Sequence, residues 1–326
     1  MSLKKYCPLC ITVWVIYPLV FITAACFLFV ECTEEKVNTA GHAKVDKTKA
    51  MKISTLQTPL QKDDYLVSHY WDNFDFSDTA CIARPGITGQ AFAGYINILP
   101  RADKEVSLFS VTTLLDRTIN EDKTGKVYSF FLSLCRKYLY DPNSPVRDDE
   151  FYIPVTAYIL KDKMSDEVTK ARAGFDMEMM LKNRKGDTAS DIIYTLADGS
   201  IGSLHNLSRD YTLIYFYNPD CPACREMKAY MEASSLINGL LASGKLDILA
   251  LYPDEDISLW KKHMAQMPSL WINAYDDQQT IKRELVYDLK AIPSLYLIDK
   301  DKKVLLKDAD AITVEKCFLI LLSGNK

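Results

Sequence analysis

The spacing of apolar residues between positions 65 and 185 is helical. Two stripes recur at intervals of three and four residues. They comprise Val106, Leu108, Phe109, Val111, Leu114, Leu115 and Ile119, and then Val127, Phe130, Phe131, Leu134, Tyr138 and Leu139. Prolines at 142 and 145 interrupt the pattern, and Ser165 can cap a further helix that continues to Leu181. The pattern predicts an all-α domain of five or six amphipathic helices around one core.

After Gly186 the pattern changes to short apolar runs separated by turn residues. Strands are predicted at 192–196, 213–217 and 246–252, and a hairpin at 295–298 and 303–306 turns across 299–302. Helices are predicted from the cysteine pair at 221 and 224 to about 237, and over 257–264 and 313–322. This order predicts an α/β domain with a central mixed sheet flanked by helices.

The N-terminus carries an uncharged run at residues 11–30, with Lys4 and Lys5 before it and Glu31 immediately after it. About 20 apolar residues can span a bilayer, so the length favours a retained signal anchor over a cleaved signal peptide. Cleavage and a lipid anchor at Cys26 stay open as alternatives. The two lysines keep the N-terminus cytoplasmic, which predicts that everything after Glu31 lies outside the cytoplasm.

Residues 31–64 contain no aromatic side chain and are mostly polar, which predicts a linker that holds the folded part away from the membrane. The predicted organisation is therefore a signal anchor or signal peptide at 1–32, a linker at 33–63, a helical domain at 64–185 and an α/β domain at 186–326.

Composition limits the class of partner. The chain has 326 residues, 48% of them hydrophobic, which is enough for two cores, and a net charge of −4. It has no basic run with interleaved aromatic residues, so nucleic acid is not an expected partner. Of the nine cysteines, four lie in or beside the apolar run at 11–30, and the five in the exported part are too scattered to make a disulfide scaffold. We expect Cys81, Cys135 and Cys317 to be small buried residues.

Two cysteine pairs share the spacing Cys-X-X-Cys. Cys7 and Cys10 precede the apolar run and have no strand before them, so we assign them no chemistry. Cys221 and Cys224 follow an apolar strand and open a helix, where free backbone N–H groups favour a thiolate on the first sulfur. Cys221 is therefore the expected nucleophile, and Cys224, one turn further along, can resolve a mixed disulfide. Pro222 suits the first helical turn.

The sequence YTLIYFYNPDCPAC, followed about 70 residues later by Ala291-Ile292-Pro293-Ser294, resembles the thioredoxin-like superfamily. The closer likeness is to membrane-anchored periplasmic thiol-disulfide oxidoreductases of the redoxin branch, and it covers residues 186–326. Residues 68–78, SHYWDNFDFSD, resemble a helical domain of unknown function that accompanies such modules in Gram-negative bacteria. The resemblance implies that Pro293 is cis beside the cysteines and that the backbone of Ile292 binds the substrate.

The chain departs from the family pattern at two positions. Asp220 stands where tryptophan often precedes the first cysteine, and its charge opposes a thiolate on Cys221. Tyr215 stands where thioredoxins carry a buried aspartate, which leaves the acid/base group unassigned; Glu226 is a candidate only by proximity. The Pro222-Ala223 pair lacks a histidine of the kind that stabilises thiolates in strong oxidants, which favours a reducing or intermediate potential.

These observations predict an enzyme, a thiol-disulfide oxidoreductase that exchanges or reduces protein disulfides through its own cysteine pair, without a metal or other cofactor. A disulfide isomerase, and a partner-binding module with a redox-inactive thioredoxin-like fold, are the alternatives. The expected partners are substrate proteins with disulfides, an unidentified electron donor and the membrane. The expected location is the periplasmic face of the inner membrane, or the periplasm itself after lipidation or secretion, in a Gram-negative bacterium.

Overall fold

The computed structural model describes residues 58–323. The predicted anchor at 11–30, the pair Cys7 and Cys10, the alternative lipid site Cys26 and residues 33–57 of the predicted linker lie outside these residues. From residue 58 to residue 323, none of the helices is both long enough and apolar enough to cross a membrane.

The N-terminal part of the described chain is helical. Its seven α-helices are α1 Pro59–His69, α2 Ala80–Ala83, α3 Pro85–Ile98, α4 Lys104–Glu121, α5 Lys126–Cys135, α6 Asp149–Lys161 and α7 Glu167–Leu181. A 3₁₀ turn at Leu99–Arg101 follows α3, and a π-helical turn at Arg136–Tyr140 follows α5. The sequence predicted five or six helices here and the structure has seven, because the apolar patterns of α1 and of the four-residue α2 are too weak to indicate a helix.

Two predicted boundaries in this domain were wrong. Helix α1 begins at Pro59, inside the predicted linker 33–63, because Thr58 and Gln61 form a capping box and proline suits the first turn. Helix α7 is capped by Asp166, whose side chain accepts a hydrogen bond from the Thr169 amide. Ser165 instead donates its hydroxyl to Asp162 at 2.7 Å.

Aromatic side chains fill the helical core. Trp71 meets Phe74, Tyr95 and Phe131 edge-on, with ring centroids 5.3 to 5.6 Å apart. Cys81 and Cys135 are buried in the same core, which confirms their predicted role as small packing residues. Cys317, in the other domain, is only half-buried.

The C-terminal part forms one seven-stranded sheet in the order β2-β1-β5-β4-β3-β6-β7. Its strands are β1 Ile193–Leu196, β2 Ile201–Ser203, β3 Tyr211–Phe216, β4 Leu246–Tyr252, β5 Ile272–Tyr275, β6 Ser294–Asp299 and β7 Val304–Ala309. Its helices are α8 Pro222–Ala233, α9 Ser235–Ala242, α10 Ile257–His263, α11 Thr280–Arg283 and α12 Ala311–Ser323. Strands β3, β4 and β5 run parallel, and the remaining pairs are antiparallel.

The predicted fold class is confirmed: an all-α domain precedes a mixed sheet flanked by helices. The prediction missed the short strands β2 and β5. It was also wrong in extending one helix from the cysteine pair to about 237, because Ser234 ends α8 and caps α9 by accepting from the Ile237 amide.

Strand β3 is covered on both faces, so its residues are buried almost without interruption. Leu213 and Tyr215 face one core, with α8, α9, α10 and α12. Ile214 and Phe216 face a second core that includes Tyr287 and Tyr296. This packing fixes the end of β3, from which the loop to the cysteine pair starts.

Candidate functional site

Cys221 is the N-cap residue of α8. Its sulfur accepts a hydrogen bond from the Cys224 amide at 3.2 Å, as the oxygen of a serine would at the same position. Pro222 occupies the first turn, where a backbone N–H would have no acceptor within the helix, so its absence in proline costs no hydrogen bond. The first sulfur therefore lies at the positive end of a twelve-residue helix and is half-buried, so it is reachable from solvent.

Cys224 lies one turn further along and is 1% exposed. Burial, and then the hydrogen bond with Cys221, raise the pKa of the Cys224 thiol to about 12. Cys224 is therefore a neutral thiol at neutral pH, and it can act only on a partner that comes to it, such as a disulfide on Cys221.

The loop before β6 closes the site. The Ile292–Pro293 peptide bond is cis, the geometry that the resemblance implies. The Cys221 thiol points at the Ile292 carbonyl oxygen, 3.8 Å away, although 71 residues separate them in sequence. The structure thus brings together the cysteine pair and the Ile292-Pro293 segment.

Asn218 organises the loop between β3 and α8, a role that sequence reasoning missed. Its side-chain oxygen accepts from the Asp220 amide at 2.9 Å, and its side-chain nitrogen donates to Asp254 at 2.5 Å. Asp254 also pairs with Lys282. An asparagine two residues before an aspartate at the end of a strand is a turn signal, and that pattern could have found it.

Three further residues singled out from the sequence are Asp220, Glu226 and Tyr215, and none of them has a side-chain hydrogen bond with either sulfur in the described structure. Asp220 is exposed, so water screens its charge from Cys221. Glu226 is also exposed, on the outer side of α8. Tyr215 is 1% exposed and donates its hydroxyl to the Cys224 carbonyl oxygen at 2.6 Å. Burial raises the pKa of Tyr215 far above its usual value, so it holds α8 in place as a neutral donor and cannot take a proton from Cys224.

A solved structure resembles almost the whole described chain. A thioredoxin-like protein from Bacteroides caccae is 43% identical in sequence, with a TM-score of 0.78, over 81% of this chain and 95% of that one. This chain belongs to the thioredoxin-like superfamily. Residues 31–183 match the model of a domain of unknown function (DUF5106).

Two shorter structures match parts of the chain. The C-terminal domain of an uncharacterized protein from Bacteroides fragilis is 46% identical over 42% of this chain and 98% of that one, with a TM-score of 0.41. The thioredoxin domain of a thiol-disulfide oxidoreductase from Bacteroides vulgatus is 25% identical over 41% of this chain and 96% of that one, with a TM-score of 0.37. No curated protein matches the chain.

In this thioredoxin-like chain the helical domain holds the Pro293 loop on its N-terminal side. Lys290, three residues before Pro293, pairs with Asp288 at 2.5 Å and with Asp149 of α6 at 3.1 Å. The Lys290 and Asp288 side chains are 5% and 4% exposed. Burial alone would lower the pKa of Lys290, but the two carboxylates outweigh it and raise the pKa, so the Lys290 ammonium stays protonated.

The helical domain also holds this loop on its C-terminal side. Ser294, directly after Pro293, donates its hydroxyl to Asp308 at 2.8 Å, and Asp308 pairs with Arg147 at 3.0 Å. Upstream, Lys182 donates to the Leu285 carbonyl oxygen at 2.8 Å. The segment that approaches Cys221 is therefore fixed by residues of both domains.

Proposed function

We propose that this chain is a thiol-disulfide oxidoreductase that reduces disulfides of substrate proteins with Cys221 and Cys224. The observation that carries the proposal is the asymmetry of the pair. Cys221 lies at a helix N-terminus, within 3.8 Å of the Ile292 carbonyl oxygen, while Cys224 is buried beside it. Exchange of disulfides needs one reachable sulfur and one protected sulfur in this order.

In the proposed reaction the Cys221 thiolate attacks one sulfur of the substrate disulfide. A bond forms between the Cys221 sulfur and that sulfur while the substrate disulfide breaks, and the second substrate sulfur leaves as a thiolate and takes up a proton. Cys224 then attacks the Cys221 sulfur as its proton leaves. This forms the Cys221–Cys224 disulfide and breaks the mixed disulfide; the first substrate sulfur departs as a thiolate that takes up one proton from solvent in place of the one released by Cys224, so two electrons pass to the substrate.

An external dithiol must then return the two electrons, and the chain does not identify it. The predicted anchor at residues 11–30 supports a position on the outer face of the inner membrane, where protein disulfides form and need such an enzyme. The likeness to a protein of Bacteroides supports a Gram-negative source.

Reduction of insulin by the full-length chain, with dithiothreitol as the regenerating dithiol, tests this function. We expect the wild type to accelerate precipitation of the insulin B chain and Cys221→Ser to fall to the rate of dithiothreitol alone, since it lacks the attacking thiolate. Cys317→Ser is the matched control, because it removes a half-buried cysteine outside the site and should keep full activity. A wild type no faster than dithiothreitol alone would refute the proposal.

A further inference from the structure

A groove of about 820 Å³ lies between the helical domain and the thioredoxin-like domain. The π-helical turn Arg136–Tyr140 and helix α7 supply one wall, and the segment from Ile281 to Ile292 supplies much of the other. The groove reaches Ile292, whose carbonyl oxygen contacts Cys221, and Asp254, which bonds Asn218. Two of its lining residues therefore contact the cysteine site.

The charged residues of the groove neutralise one another. Its lining includes four cations, Arg136, Lys137, Lys282 and Lys290, and four anions, Asp141, Asp176, Asp254 and Asp288. Three pairs among them form direct ion pairs: Arg136 with Asp176, Lys282 with Asp254, and Lys290 with Asp288. A groove with this balance offers no excess of either sign to a charged ligand.

The rest of the lining is largely apolar or aromatic. Phe175 of α7 is 50% exposed although it is a large apolar side chain, and Leu285, Leu289 and Ile292 stand on the facing wall. Exposed apolar surface beside balanced charges suits an uncharged, apolar occupant. Because Ile292 lines the groove and its carbonyl oxygen lies 3.8 Å from the Cys221 sulfur, chain that flanks a substrate cysteine bound at Cys221 can reach the groove.

We propose that this groove binds an extended, uncharged apolar segment of the substrate protein that lies next to the cysteine attacked by Cys221. The inference rests on the proposed function for its substrate, but binding in the groove does not require the redox reaction. The helical domain thereby selects among disulfides by the sequence beside them, with Phe175 as the specificity-determining contact.

Binding can be measured without chemistry. The probe is a fluorescein-labelled, end-capped peptide in which a serine, in place of cysteine, stands between leucine and valine residues, and the comparison peptide carries lysine and glutamate instead. By fluorescence anisotropy we expect the full-length wild type to bind the apolar peptide more tightly. Phe175→Ser should weaken that binding about tenfold, as expected for losing the burial of half a phenylalanine.

Phe109→Ser is the matched control, since Phe109 is 73% exposed on α4 and outside the groove, and it should bind as the wild type does. Equal affinity for the two peptides, or no difference between Phe175→Ser and Phe109→Ser, would overturn the proposal. A dimer of the full-length chain that Phe175→Ser dissociates in sedimentation would also overturn it, because a second copy would then be the occupant.

A reaction assay separates this proposal from the proposed function. Reduction of hydroxyethyl disulfide, which has no flanking peptide, should be the same in wild type and Phe109→Ser, while KM for an apolar peptide disulfide should rise about tenfold in Phe175→Ser. A wild type that reduces neither disulfide contradicts the enzyme, whereas the anisotropy result still decides on the groove. Equal KM values for the peptide disulfide would contradict the groove alone.

Discussion

The helical domain and the thioredoxin-like domain differ in how they place their cysteines. The helical domain is centred on packed aromatic rings around Trp71, and its two cysteines are buried among them. The thioredoxin-like domain instead exposes one sulfur, Cys221, at the end of a helix and protects the other. The two domains meet in buried ion pairs at the Pro293 loop, so the helical domain supplies residues that hold the segment next to Cys221.

The largest expected loss of stability is for a substitution in the core of the helical domain. Phe76 is fully buried against Trp71, Phe74 and Phe131, so Phe76→Ala should cost about 3 to 5 kcal/mol of unfolding free energy in urea because it leaves a cavity. Phe109→Ala, at an exposed position on α4, should stay within about 0.5 kcal/mol of the wild type. Equal losses in the two variants would show that the aromatic cluster is not the core of this domain.

The ion pairs between the domains should give the next largest effect. Asp149→Asn removes the carboxylate that the helical domain contributes and leaves the buried ammonium groups of Lys290 and Lys307 with Asp288, so we expect a loss of about 3 kcal/mol and slower insulin reduction. Glu178→Gln removes an exposed carboxylate that pairs with Lys182 and should change stability by less than about 0.5 kcal/mol. If Asp149→Asn unfolds like Glu178→Gln, the helical domain does not hold the loop through these charges.

A smaller effect should appear in the pH dependence of stability. Hydrogen bonds from Arg184, and then from Lys104, outweigh partial burial and lower the pKa of Glu150 from 4.5 to about 2. A carboxyl whose folded pKa is depressed stabilises fully above its unfolded pKa, and this contribution is lost as the pH falls from 4.5 towards 2.

Glu150→Gln should therefore be less stable than the wild type at pH 6, by about 0.5 kcal/mol because the pair is partly exposed to solvent. The difference should shrink as urea denaturation is repeated at lower pH, down to pH 3. A difference that grows on acidification would contradict the assignment of Glu150 as the charged partner.

The sequence predicted much of this architecture because its apolar patterns were strong. The apolar stripes of α4 and α5 follow the helical spacing, and β3 and β4 are short continuous apolar runs. Strand β5 was not predicted because it has only four residues, and α1 was not predicted because most of its residues are polar. The break at Ser234 depends on one capping hydrogen bond, which no periodicity reveals.

The site was predictable only where its residues are close in sequence or carry a family pattern. Cys221 and Cys224 form a local motif, and Pro293 came from the resemblance. Asp149 and Arg147 had no such signal, because they lie about 140 to 160 residues away from Lys290 and Asp308 and meet them only in the folded chain. Contacts between domains are set by packing, which single-sequence patterns do not encode.

The assignment of Cys221 as the attacking sulfur is tested most directly by comparing two single variants of the full-length chain, Cys224→Ala and Cys221→Ala. Each is mixed with insulin and the covalent products are identified by mass spectrometry. We predict a mixed disulfide on Cys221 of Cys224→Ala, since the resolving thiol is absent, and none on Cys221→Ala, since Cys224 is buried and neutral. An adduct on Cys224 at a comparable yield, or no adduct on either variant, would contradict the assignment of Cys221 as the attacking sulfur.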